Sequence, residues 1–359
     1  MNTPLKYGLL FFYFLAAGAP LRAQTTGEGK TKIIKWPKYY KAAWPKGAPP
    51  VADIEVAPFL WDTAHLGFAQ VGLANNKIPA LPAENMMPFI QGYIHKQYAE
   101  DFKPHGVQLL WVVQDLRINE RTLYSSEYAF VRLKADTYFS ADADSTYRYL
   151  ASFDTVLRRG GMDVTGQHGE NMAIAFHLLL KQSLGKLNGK ENEPIAPLTR
   201  RQIEANERLR FQIPILTDTV YKEGVYTAFE QFLQNNPSVA LTAEASVAPQ
   251  RSPKNKDADS GHVSGPWGFC RGGQLYKYVG RQPVRIGRLG NGFVLTQYRE
   301  YINQRNQNLL ASGLIGGAIG SAIAYSAPSH VYNVTSLPYL NKKQPEACSI
   351  DMETGELNF

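Results

Sequence analysis

An uncharged run of nineteen residues at positions 309–327, LLASGLIGGAIGSAIAYSA, constrains this chain more than any other feature. Its length is close to the roughly 20 apolar residues that a membrane-spanning helix needs, so it has to be buried in lipid or against protein. Its glycines stand in two overlapping pairs at a spacing of four, the glycine-zipper spacing that lets helix backbones approach closely in a membrane. The sequence therefore predicts membrane contact or self-association through Gly313, Gly316, Gly317 and Gly320.

Three placements of this run stay open: one membrane crossing, a re-entrant hairpin, or an apolar helix packed on the C-terminal strands. A single crossing would put Cys270 and Cys348 on opposite faces of the membrane and forbid their pairing. The two cysteines of an exported chain predict a disulfide, and two free thiols are the alternative. The placement of residues 309–327 and the state of the cysteines are thus linked.

The first 23 residues have the parts of a secretory signal. Lys6 supplies the positive charge, residues 7–17 form the apolar core, and Ala23 suits the position before the cut. We expect export to the periplasm or the outer membrane, with a retained N-terminal anchor as the alternative. No cysteine follows the apolar core, so we expect the protein not to be lipidated.

The charge of the chain is mildly basic, with a formal net charge of +7 over 359 residues. This balance is not that of a dedicated nucleic-acid binder, so we expect no nucleic-acid partner. The length favours two domains over one.

Residues 24–50 form a basic, aromatic linker in which prolines disfavour a helix. Lysines interleaved with aromatic rings suit an anionic membrane surface or a polyanionic glycan. In the alternative, which we favour, the rings lie on the following domain. The candidate surface-binding residues are Lys35, Trp36, Lys38, Tyr39, Tyr40, Lys41 and Trp44.

Residues 51–190 predict a layered domain. Residues 51–60 read as a strand, and residues 61–83 as a loop-rich passage with one short apolar run. A helix is predicted over 85–101, because apolar residues recur there every three or four positions.

Three strands and a second helix complete this domain. Residues 106–120 have a continuous apolar centre, residues 128–140 alternate in polarity, and residues 145–157 suggest a third strand. An apolar stripe predicts a helix that begins near Gly169. Strands grouped between helices predict an α+β fold, with a mixed or antiparallel sheet and helices on one face.

This order, with its LLWVV strand and closing helix, resembles the periplasmic α/β domain of ABC-transport auxiliary lipoproteins and of curli-secretion-type lipoproteins. The resemblance covers residues 51–190 and implies an accessory role in the cell envelope. The chain departs from those families because it lacks a cysteine for lipidation.

The second half divides into a connector and a mainly β region. Residues 191–265 predict a partly helical connector, with an amphipathic helix over 221–235, and a polar linker. Residues 266–359 predict a β-meander around the apolar run, because short apolar stretches alternate with glycine turns. The motifs KEGVYTAFEQFLQNNPSV, WGFCRGGQLYKYV and DMETGEL resemble uncharacterised secreted proteins of the Bacteroidota, which implies a diderm envelope and no particular activity.

The chain contains no recognised nucleotide-binding, zinc-protease or serine-hydrolase motif. One polar cluster, Asp163, His168 and Glu170, precedes the second predicted helix and is the weak candidate for acid–base chemistry. The alternative is that its polar groups cap that helix. We expect no cofactor and no metal site, since the cluster offers too few ligands for zinc.

These observations favour a non-catalytic, membrane-associated accessory protein of the cell envelope that binds an envelope protein or itself. Two alternatives stay open. The first is an envelope hydrolase that uses the cluster near His168. The second is a glycan or anionic-surface binding module that uses the linker 24–50.

Overall fold

The computed structural model describes residues 30–123, 126–141, 146–161, 163–188, 196–241, 265–280, 282–296 and 345–359, apart from residues 39 and 41, together with residues 303, 304 and 307. The predicted signal and the apolar run 309–327 lie outside these residues. Helices and strands occur together, and the predicted α+β class is confirmed. Among the described residues, no helix has the length and apolar character needed to cross a membrane.

The first half contains seven strands and two long helices. They are β1 (Lys32–Ile34), β2 (Val51–Pro58), β3 (Gly67–Val71), β4 (Asn76–Pro82), α1 (Met86–Tyr98), β5 (Val107–Leu123), β6 (Ser126–Ser140), β7 (Thr146–Gly161) and α2 (His168–Asn188).

The second half has shorter elements. They are β8 (Leu198–Thr199), α3 (Arg200–Leu209), α4 (Pro214–Thr217), β9 (Gly224–Tyr226), α5 (Phe229–Leu233), β10 (Gly268–Arg271), β11 (Gln274–Val279), β12 (Gln282–Leu289), β13 (Gly292–Val294), β14 (Ser349–Ile350) and β15 (Leu357–Asn358).

The first sheet is mixed and centres on β5. Its strand order is β1-β4-β3-β5-β6-β7-β8, and β2 also pairs with β5 in parallel. Strands β5, β6 and β7 form long antiparallel ladders. The apolar centre of β5 is buried on both faces: Leu109, Trp111 and Val113 pack toward α1 and α2, whereas Leu110 and Val112 face the other side.

Helix α3 covers part of that other side. Its Ile203 is buried against Leu110 and Val112, together with Tyr147 of β7. The first turn of α3 is fixed by a capping box, in which Thr199 and Gln202 bond each other's backbone amides. Helices α1 and α2 therefore lie on one face of the sheet, as predicted. Helix α3, which lies within residues 191–265, adds a helix on the opposite face.

Two local predictions are wrong. Residues 61–83 contain the hairpin of β3 and β4 rather than a loop-rich passage. Prolines in β4 weaken the strand pattern, and pairing with neighbouring strands overrides it. Residues 221–235 form β9 and the short α5 rather than one helix, because β9 pairs with β10 and Gly224 has a φ of +144°.

The second sheet runs in the order β15-β14-β13-β12-β11-β10-β9, and all of its pairs are antiparallel. Its core surrounds Phe232 of α5, which is fully buried. The ring centroid of Phe232 lies 4.3 Å from that of Trp267 and 5.1 Å from that of Phe293. Residues from both sides of the polar linker therefore build one core.

Ion pairs join the two sheets. Arg132 of β6 contacts Asp351 of the second sheet at 3.1 Å, besides Asp154 of its own sheet at 2.9 Å. Arg210, which follows α3, contacts Glu353 at 2.9 Å. Burial raises the pKa of Asp351, but the backbone N–H of Glu353 and the guanidinium of Arg132 outweigh burial, so that this pKa lies below its usual range. These contacts fix the turn between β14 and β15 against the first sheet.

The predicted disulfide is absent, because Cys270 and Cys348 are free, buried thiols with different neighbours. The Cys270 thiol lies 3.7 Å from the carbonyl oxygen of Tyr221 within the second sheet's core. The Cys348 sulfur accepts a hydrogen bond from Asn119 of β5 at 3.4 Å. Burial raises the pKa of Cys270 to about 11, so its thiol is protonated at neutral pH.

Candidate functional site

The three candidate catalytic residues do not converge. His168 begins α2 and is fully buried, whereas Glu170 is half-exposed and pairs with Arg159 at 2.6 Å. Asp163 accepts a hydrogen bond from the backbone N–H of Thr165 at 3.1 Å. Asp163 therefore holds the turn before α2, and the three residues share no acid–base site.

His168 has a partner that the sequence analysis missed. Its Nε2 lies 2.7 Å from Oε1 of Glu120, and both side chains are 0% exposed. The second oxygen of Glu120 accepts hydrogen bonds from the backbone N–H of Gln70 at 2.6 Å and from the Thr165 hydroxyl at 3.3 Å. The pair therefore ties the start of α2 to β3 and β5, which is a structural role.

One signal pointed to Glu120. It lies in a strand whose apolar centre predicts burial, and a buried carboxylate needs a partner. A buried carboxylate on β5 therefore predicts a basic or hydrogen-bond-donating partner on the helices that cover this strand.

A second buried polar cluster lies around Lys77 of β4, which is 2% exposed. Its Nζ donates to the Asn119 side-chain oxygen at 3.0 Å and lies 3.9 Å from a carboxylate oxygen of Glu346. Asn119 in turn donates to the Cys348 sulfur. This network joins the segment before β14 to the centre of the first sheet.

A cavity of about 330 Å³ lies between the two sheets. The first sheet contributes the loop 60–66 and parts of β3, β4 and β5; the second contributes parts of β12, β13 and β14. Much of the wall is apolar and buried, including Leu66, Leu116, Phe293, Leu295 and Ile350. The volume is near the lower end of the ~300–1,000 Å³ of small-molecule sites.

Two acid–base pairs stand in the cavity wall. Asp62 lies 2.9 Å from Nδ1 of His65 and also accepts the backbone N–H of that residue at 3.0 Å. Asp115 accepts a hydrogen bond from Arg117 at 2.7 Å. Arg117 also donates to the Ser349 hydroxyl at 3.0 Å and to the Phe359 carbonyl at 2.9 Å, so it fastens the second sheet to β5.

A second arginine in the wall has a different environment. Arg288 of β12 donates to the carbonyl oxygens of Leu216 at 2.7 Å and Gly290 at 3.1 Å. It is solvent-exposed, and among the described residues no carboxylate pairs with it. The cavity therefore combines an apolar interior with one uncompensated positive charge at its rim.

Neither the cavity nor the rest of the described chain groups three or more His, Cys, Asp or Glu side chains around a metal position. The cysteine in the wall is a poor nucleophile, because burial raises the pKa of Cys348. The arrangement can bind and orient a ligand better than it can transform one.

The aromatic rings of the linker 24–50 lie on the first domain. Trp36 stacks on Tyr93 with a centroid distance of 4.0 Å and donates to the Phe89 carbonyl at 2.7 Å. Trp44 packs edge-on against Tyr98, and Tyr40 against His177. A Cβ at Gly169 would collide with the carbonyl oxygen of Lys35, so the linker backbone lies directly against α2.

The candidate surface residues thus divide. Lys35 and Lys38 are exposed, and Tyr39 and Lys41 lie outside the described residues. The rings of Trp36, Tyr40 and Trp44 contact the core, which corrects their assignment to a binding surface.

The candidate packing glycines Gly313, Gly316, Gly317 and Gly320 also lie outside the described residues. Described residues on both sides of 308–344 nevertheless contact β4. Asn303 exchanges two hydrogen bonds with the backbone of Lys77, at 2.7 and 3.0 Å. Glu346 approaches the side chain of the same lysine. The chain therefore leaves β4 before this segment and returns to it afterwards.

Comparison with known proteins assigns no family. No family model matches the chain, and no curated protein matches it. Among solved structures, the crystal structure of a Xanthomonas campestris protein of family DUF330 aligns with 11% sequence identity and a TM-score of 0.32. The alignment covers 46% of this chain and 99% of that protein. A likeness this distant supports no argument about fold or function.

Proposed function

We propose that this chain is a non-catalytic accessory protein of the cell envelope that binds a small ligand between its two sheets. The observation that carries the proposal is the cavity of about 330 Å³ with a largely apolar wall and a few convergent polar groups. A substrate-sized space with this lining is the usual form of a ligand site. Export and an envelope partner follow from the sequence features and form part of the proposal.

The chemistry of the wall supports binding over catalysis. Its carboxylates are engaged by His65 and Arg117, and Ser349 is held by Arg117. The wall therefore offers no nucleophile next to a base. The hydrolase alternative has less support, because His168 and Glu120 are fully buried and contact each other.

The proposed cavity site is tested with the fluorescent amphipathic anion 8-anilinonaphthalene-1-sulfonate. We expect saturable binding near one probe per chain, and its loss in Val294→Trp, which fills the cavity from its half-buried wall. The matched control is Val156→Trp on β7, where the side chain is 36% exposed and away from the cavity. Equal binding by wild type and Val294→Trp, both with intact unfolding transitions, would overturn the proposed function.

The membrane attachment in this proposal uses residues 308–344. Asn303 and Glu346 meet at Lys77, so a single membrane crossing, which would leave the two ends on opposite faces, does not fit. A segment that enters and returns on one face fits these contacts. The glycine spacing then serves packing within the membrane or between copies.

Replacing residues 308–344 with a flexible linker of about ten residues tests this attachment. The linker reaches up to about 35 Å, so we expect the fold to persist, with the unfolding midpoint shifted by less than about 4 °C. The fraction that sediments with lipid vesicles should fall to background. An equal replacement of residues 242–264 is the control. Wild-type protein that never sediments, or a 308–344 variant that still does, would contradict membrane attachment through this segment.

A further inference from the structure

The charged side chains around the cavity differ in whether other protein groups pair with them, and this difference indicates which ligands the cavity can bind. Asp62 accepts the backbone N–H groups of Ala64 and His65 in addition to the imidazole. Asp115 faces Arg117 at 2.7 Å and Arg132 at 3.7 Å. Asp62 is therefore held by hydrogen-bond donors of its own loop, and Asp115 is paired with two arginines.

The two arginines of the wall differ in whether they pair with a carboxylate of the protein. Arg117 is half-buried and donates hydrogen bonds to Asp115, to the Ser349 hydroxyl and to a backbone oxygen of Phe359. Arg288 is exposed, and the described residues offer it only carbonyl oxygens. Arg288 therefore keeps its positive charge and its remaining N–H donors for a group outside the protein. Hydrogen bonds from a guanidinium are strongest to a carboxylate, sulfonate or phosphate.

The cavity's shape separates this charge from the apolar interior. Leu66 and Leu116 lie at 0% and 3% exposure, whereas Arg288 stands at the solvent side. The cavity volume of about 330 Å³ lies within the ~300–1,000 Å³ of small-molecule sites. A chain of about eight to ten carbons fits such a volume, with its polar end at the rim.

We infer that the cavity binds an amphipathic monoanion, in which an alkyl chain of medium length fills the interior and an acidic headgroup pairs with Arg288. This inference rests on the proposed function and specifies the class of ligand. Removal of the chain from water supplies most of the affinity, and Arg288 selects the anion over neutral or cationic molecules of the same length.

Displacement of the fluorescent anion by three ten-carbon compounds tests the inference. We expect decanoate to bind about three- to fivefold more tightly than decanol or decyltrimethylammonium, because only the carboxylate forms an ion pair with the exposed guanidinium of Arg288. The variant Arg288→Gln should lose this preference, and Arg288→Lys should keep part of it. The control Arg285→Gln changes an exposed arginine of the same strand that does not line the cavity.

The possible results distinguish a failure of the anion assignment from a failure of the proposed function. If decanol binds as tightly as decanoate and Arg288→Gln changes neither, the anion assignment is wrong, while cavity binding stands as long as Val294→Trp abolishes it. If Val294→Trp leaves the binding of every compound unchanged, the site lies elsewhere, and both the inference and the proposed function fail. The unfolding midpoint of each variant is measured as well. A midpoint close to that of wild type shows that a loss of binding is not caused by a loss of the fold.

Discussion

Replacing Glu120 with alanine is expected to lower the free energy of unfolding by about 3–5 kcal/mol, as found when one partner of a buried pair is removed. The carboxylate is fully buried, and its two oxygens bond His168, Gln70 and Thr165. Its loss leaves the buried His168 Nε2 and the backbone N–H of Gln70 without their partner, whereas the Thr165 hydroxyl keeps the Gln70 carbonyl as an acceptor. Chemical denaturation followed by circular dichroism measures the effect.

The matched control is Glu170→Ala, two residues from His168. Glu170 pairs with Arg159 at the surface, where both side chains are 43% exposed, so its loss should cost about 0–1 kcal/mol. A catalytic Glu120 would behave differently, since removing a strained active-site carboxylate commonly leaves stability unchanged or raises it. Unchanged stability of Glu120→Ala would therefore contradict the structural role assigned to the buried pair.

The substitution Trp36→Ala should destabilise the protein by about 3 kcal/mol, within the range for replacing a packed aromatic side chain by alanine. It removes the stacking on Tyr93 and Phe89, and the hydrogen bond from the indole to the Phe89 carbonyl. Thermal or denaturant unfolding measures the change. The exposed neighbours Lys35 and Lys38 serve as controls, and their alanine variants should lie within about 0.5 kcal/mol of wild type.

Vesicle binding by the same variants distinguishes the two interpretations of the linker. If the rings form a surface for anionic membranes, Trp36→Ala and Lys38→Ala weaken binding to anionic vesicles while stability is unchanged. If the rings belong to the core, Trp36→Ala lowers stability first. The contacts of Trp36 with α1 and α2 favour the second result.

The long elements of the fold could be predicted from the sequence because each has a strong local pattern. Helix α1 repeats apolar residues on one face, and β6 alternates buried and partly exposed positions from Val131 to Tyr138. Strands β3, β4 and β9 were missed for the opposite reason. Each contains a proline or a positive-φ glycine, and their pairing partners rather than their own residues make them strands.

The cavity could not be predicted from the sequence, because its wall is formed by residues from distant parts of the chain. Asp62, Arg117, Arg288 and Ser349 are brought together only when the two sheets meet. One local signal existed: Asp62 and His65 stand three residues apart, a spacing that lets a turn hold an acid–base pair. Asp163, His168 and Glu170 lie within eight residues of one another, yet each contacts a different partner in the fold.

A crystal structure of the full chain grown with decanoate tests the central claim most directly. The account predicts density for the alkyl chain between the two sheets, among Leu66, Leu116 and Phe293, with the carboxylate ~3 Å from the guanidinium of Arg288. Decanoate bound at another surface, with the cavity closed by the protein's own side chains, would contradict it.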